Sequence, residues 1–489
     1  MEERWDRDLA WVAVIAVVSC LLLGWVSHAV GFIAVANGQG WDGSVFVRVI
    51  REIAGNEYSN SDPYRTVRTV AFPMIYAIEF FDINADIVLA QRDVNITLLV
   101  LSTCMLYVTM RLKDVARATA LVTAATFLGT WCVLVVPVFT PILTDHLAIF
   151  VSSLSLLLWA ADQKRLLYIL VMASVWIMPS AVLVPLALLV IRKQAISTRV
   201  MGLDPRLNWA FLLVAVTFCI VIYIWKGDAL FKGIATHSLD FRHNPPGQVT
   251  GSVSLLPVSL LVAIVMLTLC VRTGAQFLFS HAKDVDARRV VAGLAIALAS
   301  FALMRMLIDF DKGFTAGKLV NNLIKQSLSA PLKTWTAHTA YLGPAVLVTY
   351  YFVAFRQVFV PPALMLCLIC FMPLLAFGSE SRQWVAVLPV VVLALSFLPL
   401  TWLSRITLCV MTMFLNWGVW DLNIQVTEAV NTHVGLQHPL WNNYLGRVGP
   451  WMSMEVYRHW LALAVVMMVA LVAVSRWPRR RANLPGRSK

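Results

Sequence analysis

Apolar runs of about twenty residues recur along nearly the whole chain, and this feature limits what it can fold into. A helix needs about 20 apolar residues to cross the hydrocarbon core of a bilayer. Such runs fall near 9–36, 94–112, 116–138, 142–161, 166–191, 208–226, 253–271, 289–308, 337–356, 359–378, 384–403, 405–420 and 457–475. The run at 166–191 holds Pro179 and Pro185. Proline removes a ladder hydrogen bond, so this run is expected as two short helices forming a hairpin. The expectation is an all-α polytopic membrane protein with about 13–14 transmembrane helices. The first run is too long for a signal-peptide core and is read as a retained span.

Composition agrees. Of 489 residues, 60% are hydrophobic and only 13% charged, against about 25% charged in soluble domains. The mean hydropathy is +0.76. No polar stretch is long enough for a separate soluble domain, so residues 1–489 read as a single integral membrane domain. The net charge of +13 sits in short clusters between apolar runs. That is the pattern of cytoplasmic loops and not of a nucleic-acid surface. Arg111, Lys113 and Arg117 form one cluster, and Lys164 and Arg165 another. Further clusters are Arg192, Lys193, Arg199 and Arg206, then Lys283, Arg288 and Arg289, then Arg356, then Arg405. With a hairpin at 166–191 these all fall on one side, placing both termini in the cytoplasm. The basic tail 476–489 then lies near anionic membrane lipid.

On the other side, the periplasm of a bacterial inner membrane, four segments stand out: 37–93, 227–252, 309–336 and 421–456. In the first and longest, Val45 to Ala54 and Thr66 to Phe81 carry apolar residues at helical spacing, as surface helices do. The eight cysteines all lie in apolar runs. Even the Cys367–Cys370 pair reads as small residues packing between helices. No Walker A, GxSxG or HExxH pattern occurs, which removes the support for a nucleotide-driven pump or a serine or zinc hydrolase.

The candidate chemistry lies at the ends of the apolar runs. Trp41-Asp42-Gly43 follows the first span, with Gly43 permitting a tight turn. Asp42 suits either a general base on an acceptor hydroxyl or a cap for a helix beginning near Ser44. Arg65 and Arg68 are three apart, so on a helix they share one face and suit a phosphate. The bland alternative is a solvated pair. Thr144-Asp145-His146 opens a span just after Pro141. Asp145 suits an acceptor hydroxyl or a divalent cation, with His146 as partner or second proton-transfer group; helix capping is the competing role. In Glu380-Ser381-Arg382-Gln383, Arg382 is a second candidate phosphate clamp and Glu380 a candidate for substrate binding; the bland alternative is a polar turn. Arg305 and Asp309 read as a helical ion pair. His237, His243, His338, His433 and His438 have no metal-ligand spacing, and no metal is assigned to them.

The order of these features resembles the GT-C superfamily of membrane glycosyltransferases. The resemblance rests on Trp41-Asp42-Gly43 after the first span, Arg65 and Arg68 before Pro73, Asp145 at the start of the fourth span, and Glu380–Gln383 before Pro389. It covers about the first 160 residues and the 380 region. Where many members pair two acidic residues, this chain has Asp42 alone. The resemblance implies a polyprenyl-phosphate-linked sugar donor, a glycan, lipid or protein acceptor, and inversion by single displacement. Asp42 would be the base. Arg65, Arg68 or Arg382 would hold the leaving phosphate. Asp145 would assist at the acceptor or at a metal that some members use. Three rivals are a secondary transporter or flippase of lipid-linked glycans, an O-antigen-type polymerase or ligase, and a non-catalytic scaffold. A transporter would show charges near mid-membrane, internal repeats and broken helices in both halves. A polymerase or ligase would carry its large outer loop late.

Overall fold

The computed structural model describes residues 2–57, 62–192, 210–217, 220–221, 251–308, 316–355, 360–417, 419, 422 and 444–482, with side chains left out at 2–5, 253, 316–321 and 476–482. Most of the 208–226 run, nearly all of 227–252, most of 421–456, Asp309, the four histidines 237, 243, 433 and 438, and the side chains of the 476–489 tail lie outside this description.

The protein is an all-α polytopic membrane protein. Its first half runs α1 (Glu2–Val30), α2 (Gly40–Ala54), α3 (Pro63–Arg68), α4 (Pro73–Phe80), α5 (Ile87–Leu112), α6 (Arg117–Leu128), α7 (Trp131–Leu134), α8 (Val136–Phe139), α9 (Asp145–Ala160), α10 (Lys164–Ile177) and α11 (Leu183–Val190). The second half runs α12 (Leu256–His281), α13 (Ala287–Leu307), α14 (Ala316–Ser329), α15 (Lys333–Leu342), α16 (Ala345–Phe355), α17 (Pro362–Phe377), α18 (Leu388–Phe397), α19 (Trp402–Phe414) and α20 (Met454–Ala482).

Among the described residues, five helices are long and apolar enough to cross a bilayer: α1, α5, α12, α13 and α20. Their windows are little buried, α5 excepted, so they turn apolar sides outward from the bundle. The other apolar runs, where they are described, fold as shorter or broken helices. At 166–191 the chain breaks where the prolines predict, with Met178 extended before Pro179, and α10 packs against α11. Two breaks were not foreseen. The 116–138 run bends by 71° between α6 and the α7–α8 segment. The 337–356 run stops at Gly343, whose φ of +85° suits glycine alone, just before Pro344. In the first loop, Thr66–Phe81 is likewise not one helix: Pro73 starts a new one after Phe72 leaves helical geometry.

The two ends of the bundle differ in chemistry. Asp8 near the start of α1 accepts from Arg111 Nε at 3.1 Å, Arg117 Nε at 3.2 Å and Tyr107 Oη at 3.0 Å. Lys113 lies 4.3 Å from the Trp159 ring centre, at the far end of α9. At the opposite end, α2 and α4 pack on the start of α5 through Phe46, Val47, Ile50, Phe72, Ile75 and Val88. Ile142, just before α9, closes this small core. That packing lays the first loop across the N-terminus of α9.

Candidate functional site

The first turn of α2 carries Asp42. The turn into this helix falls on Gly38 and Gly40, with φ of +88° and +72°; Gly43 does not make it. Gly43 lies inside α2, where a Cβ would come within 2.9 Å of Ile142 Cβ. Its service is close approach of α2 to the α9 entry. Nor does Asp42 cap α2: the cap position is Gln39. Its carboxylate points across to two guanidiniums. Arg65 Nη2 donates to Oδ1 at 2.7 Å, and Arg382 Nη1 donates to Oδ2 at 3.1 Å.

Each arginine has a second anchor. Asp62 caps α3 by accepting from the Arg65 amide, and its other oxygen accepts from Arg65 Nη1 at 2.6 Å. Arg382 enters from the 3-10 turn Ser381–Val387. Its Nε lies 3.5 Å from Asp145 Oδ2, which also accepts from the Tyr341 hydroxyl at 2.8 Å. Arg382 therefore joins the two aspartates singled out in the sequence. The turn is pinned in place: Ser180 Oγ donates to the Gln383 carbonyl. His338 Nε2 faces the Leu375 carbonyl at 3.0 Å, which leaves Nδ1 to accept from Ser381 Oγ at 2.8 Å.

The cluster has an open and a sealed end. The side chains of Asp42, Arg65 and Arg382 are 33%, 31% and 28% exposed, while that of Asp145 is 2% exposed. Around Asp42, burial pushes the carboxyl pKa up, but Arg382 and Arg65 outweigh it and hold it below the usual carboxylate range. Its place in the first turn of α2 adds to this, since a helix N-terminus favours negative charge. Glu380 shifts the other way. Burial raises its pKa, and the charges of Asp42 and Asp145 add to the rise. Its carboxylate accepts from Gln383 Nε2 at 2.7 Å and forms no salt bridge with Arg382.

Arg68 does not share a target with Arg65. Its guanidinium stacks on the Tyr64 ring, 4.0 Å from the centroid, though it still feels Glu380. His146 is buried completely beside Asp145. Its ring nitrogens make no hydrogen bond of normal geometry, although the Thr140 backbone lies within influence. It does not pair with Asp145, and neither Thr144 nor Asp145 makes a side-chain cap on α9. Among the described residues, no three His, Cys, Asp or Glu side chains converge as metal ligands. The two aspartates share Arg382 instead of facing a common cation site.

Sequence reasoning missed Tyr341, Asp62 and Tyr64. Asp62 could have been found as the residue before Pro63, a helix-start signal. Tyr341 carried no signal, because a tyrosine inside an apolar run reads as packing.

A second feature lies across α15. Between α12, α15, α16, α17 and α20 is a cavity of about 350 Å³ walled by Trp335, Thr336, Thr339, Tyr350, Met372 and Met468 among others. Its lining is almost entirely apolar. Helix α15 thus shows Trp335, Thr336 and Thr339 to the cavity, and on a different face Tyr341 to the charged cluster.

No family model, no curated protein and no solved structure matches this chain, so what the site does must follow from its own geometry.

Proposed function

We propose that the protein is a membrane glycosyltransferase of the GT-C type, moving a sugar from a polyprenyl-phosphate carrier to an acceptor at the outer face of the membrane. One observation carries this reading: a half-buried carboxylate and two arginines stand one helix away from an apolar cavity. A polyprenyl-phosphate sugar needs that combination, with cations for phosphate and an apolar space for the chain. In the reaction the acceptor hydroxyl attacks the anomeric carbon. Its proton passes to Asp42 as the new C–O bond forms, and the bond from the anomeric carbon to the phosphate oxygen breaks. Arg65 and Arg382 then hold the added negative charge on the leaving phosphate. Arg68 sits close enough to contribute. Asp145 is sealed from solvent, so it acts by anchoring Arg382. Glu380 and His146 border the cluster without a defined step. The basic clusters at the Asp8–Lys113 end support a reading with that end and both termini in the cytoplasm and the Asp42 end in the periplasm.

The test supplies purified protein with a panel of polyprenyl-phosphate sugars and follows transfer. Wild type is expected to turn over at least one donor. Asp42→Asn should lose about 10²-fold or more, the usual loss of a general base. Turnover unchanged in Asp42→Asn would remove Asp42 as the base.

The transporter reading gains from one observation. Helices break in both halves, at Gly129–Thr130 and Met178–Pro179 in the first and at Gly343–Pro344 in the second. Substrate-coupled movement of a lipid-linked glycan in liposomes, with no transfer from any donor, would establish that alternative.

A further inference from the structure

Within the charged cluster Asp42 is far more open than Asp145, yet as it stands it is poorly placed to take a proton. Both of its oxygens are occupied, Oδ1 by Arg65 and Oδ2 by Arg382. A carboxylate in two such pairs is a weak base. The arginines, by contrast, are free to change partner in front without leaving the site. Arg65 is held behind by Asp62, and Arg382 behind by Asp145, itself fixed by Tyr341. The exchangeable contacts are the exposed ones, and the anchor at Asp145 is sealed. Arg68 forms no salt bridge among the described residues and stands beside them on Tyr64.

We propose that Asp42 is a ligand-gated base: a phosphate group entering the open end draws Arg65 Nη2 and Arg382 Nη1 away from Asp42, and only then does the carboxylate accept a proton. The idea rests on the phosphate-linked donor proposed above and adds an order to it, donor first and acceptor second. The proton balance is simple. The acceptor O–H gives its proton to the freed carboxylate, and the arginines keep the charge that the phosphate gains. When the lipid phosphate leaves, the guanidiniums return to Asp42 and drive the proton out. The charged and titratable groups facing Asp42 or its two partners are Arg65, Tyr64 and Arg68 from α3 with Asp62 at its cap, Arg382 and Glu380 from the turn, Asp145 from α9, and Tyr444. Of these, only the two arginines contact it directly.

Carbodiimide modifies protonated carboxyls, so the rate of Asp42 modification in the full-length protein in nanodiscs reports the gate. The rate is read by mass spectrometry of the peptide holding Asp42. The probes are farnesyl phosphate, farnesol and inorganic phosphate, with binding measured separately by calorimetry. Farnesyl phosphate should speed modification by about tenfold for each unit the pKa rises, and farnesol should not. Acceleration by inorganic phosphate as well would assign the effect to the phosphate group alone; its absence would assign it to a lipid-borne phosphate. Both support the gate. Arg382→Gln, and independently Arg65→Gln, should label fast with no ligand present. Farnesyl phosphate that binds without speeding modification, with both variants still slow, would overturn the gate and leave the glycosyltransferase reading intact. Failure of both phosphates to bind would overturn the gate together with the phosphate-linked donor.

Discussion

Tyr341 shows how much a single hydroxyl can hold. Asp145 is sealed at the start of α9, and its Oδ2 takes one hydrogen bond from Tyr341 and one looser contact from Arg382. Removing the hydroxyl leaves a buried carboxylate short of a donor, which costs about 1–3 kcal/mol. Tyr341→Phe should therefore lower the thermal midpoint in detergent by several degrees. If the proposed transfer is the activity, the substitution should also reduce it, because Arg382 loses the fixity of its rear anchor. A variant as stable as wild type would mean that Asp145 is satisfied in some other way. The same residues show what a sequence reader can find. Asp42, Arg65, Asp145 and Arg382 stood out because ionisable groups beside apolar runs are costly and so uncommon. Their mutual pairing was not legible: Asp42 and Arg382 are joined by 340 positions of chain separation. Spacing suggested that Arg65 and Arg68 act alike, but Tyr64 captures Arg68 by a ring stack that no spacing rule contains.

At the level of elements, what matters is how near α2 comes to α9. The gap is set by Gly43, where an added Cβ would sit 2.9 Å from Ile142 Cβ and 3.1 Å from the Ile142 carbonyl oxygen. Gly43→Ala must push α2 outward, and overpacking of this kind costs about 1–3 kcal/mol. Asp42 would move with the helix. A displacement near 1 Å can cost about 10²-fold in rate, so Gly43→Ala should lose at least tenfold of transfer, ~1.4 kcal/mol, while remaining monodisperse. Gly24→Ala is the control, since nothing lies within 4 Å of its added Cβ. Equal losses in both variants would show a general destabilisation and not a displaced site. Five of the apolar runs fold as long apolar helices, though α5 begins at Ile87, seven residues before its run, and α12 ends at His281, ten residues past its run. The breaks at Gly129 and Gly343 were harder. A kink within an apolar run keeps the run apolar, and only the Gly343-Pro344 pair carried a local clue.

Across the whole molecule, the opposed ends make orientation testable. One end gathers Asp8, Arg111, Arg117 and Lys113, and the other gathers Asp42, Arg65, Arg382 and Asp145. Two of the arginines counted as free positive charge in the topology argument are in fact tied to Asp8. Lys164 is likewise paired, with Asp162, but the bias follows basic residues whether or not an acid neighbours them, so this end still favours the cytoplasm. Gly55 closes α2 on the Asp42 side and is exposed, and Asp162 stands exposed in the turn between α9 and α10. Cysteines placed singly at these positions should part company in intact cells. Gly55→Cys should react with a membrane-impermeant maleimide added outside, and Asp162→Cys should react only after the membrane is opened. The wild-type chain sets the background, because Cys20 is exposed on α1. The reverse pattern would turn the charged cluster toward the cytoplasm. On the glycosyltransferase reading proposed above, a donor would then be met on the inner leaflet, and transfer would come before the lipid-linked sugar crossed the membrane.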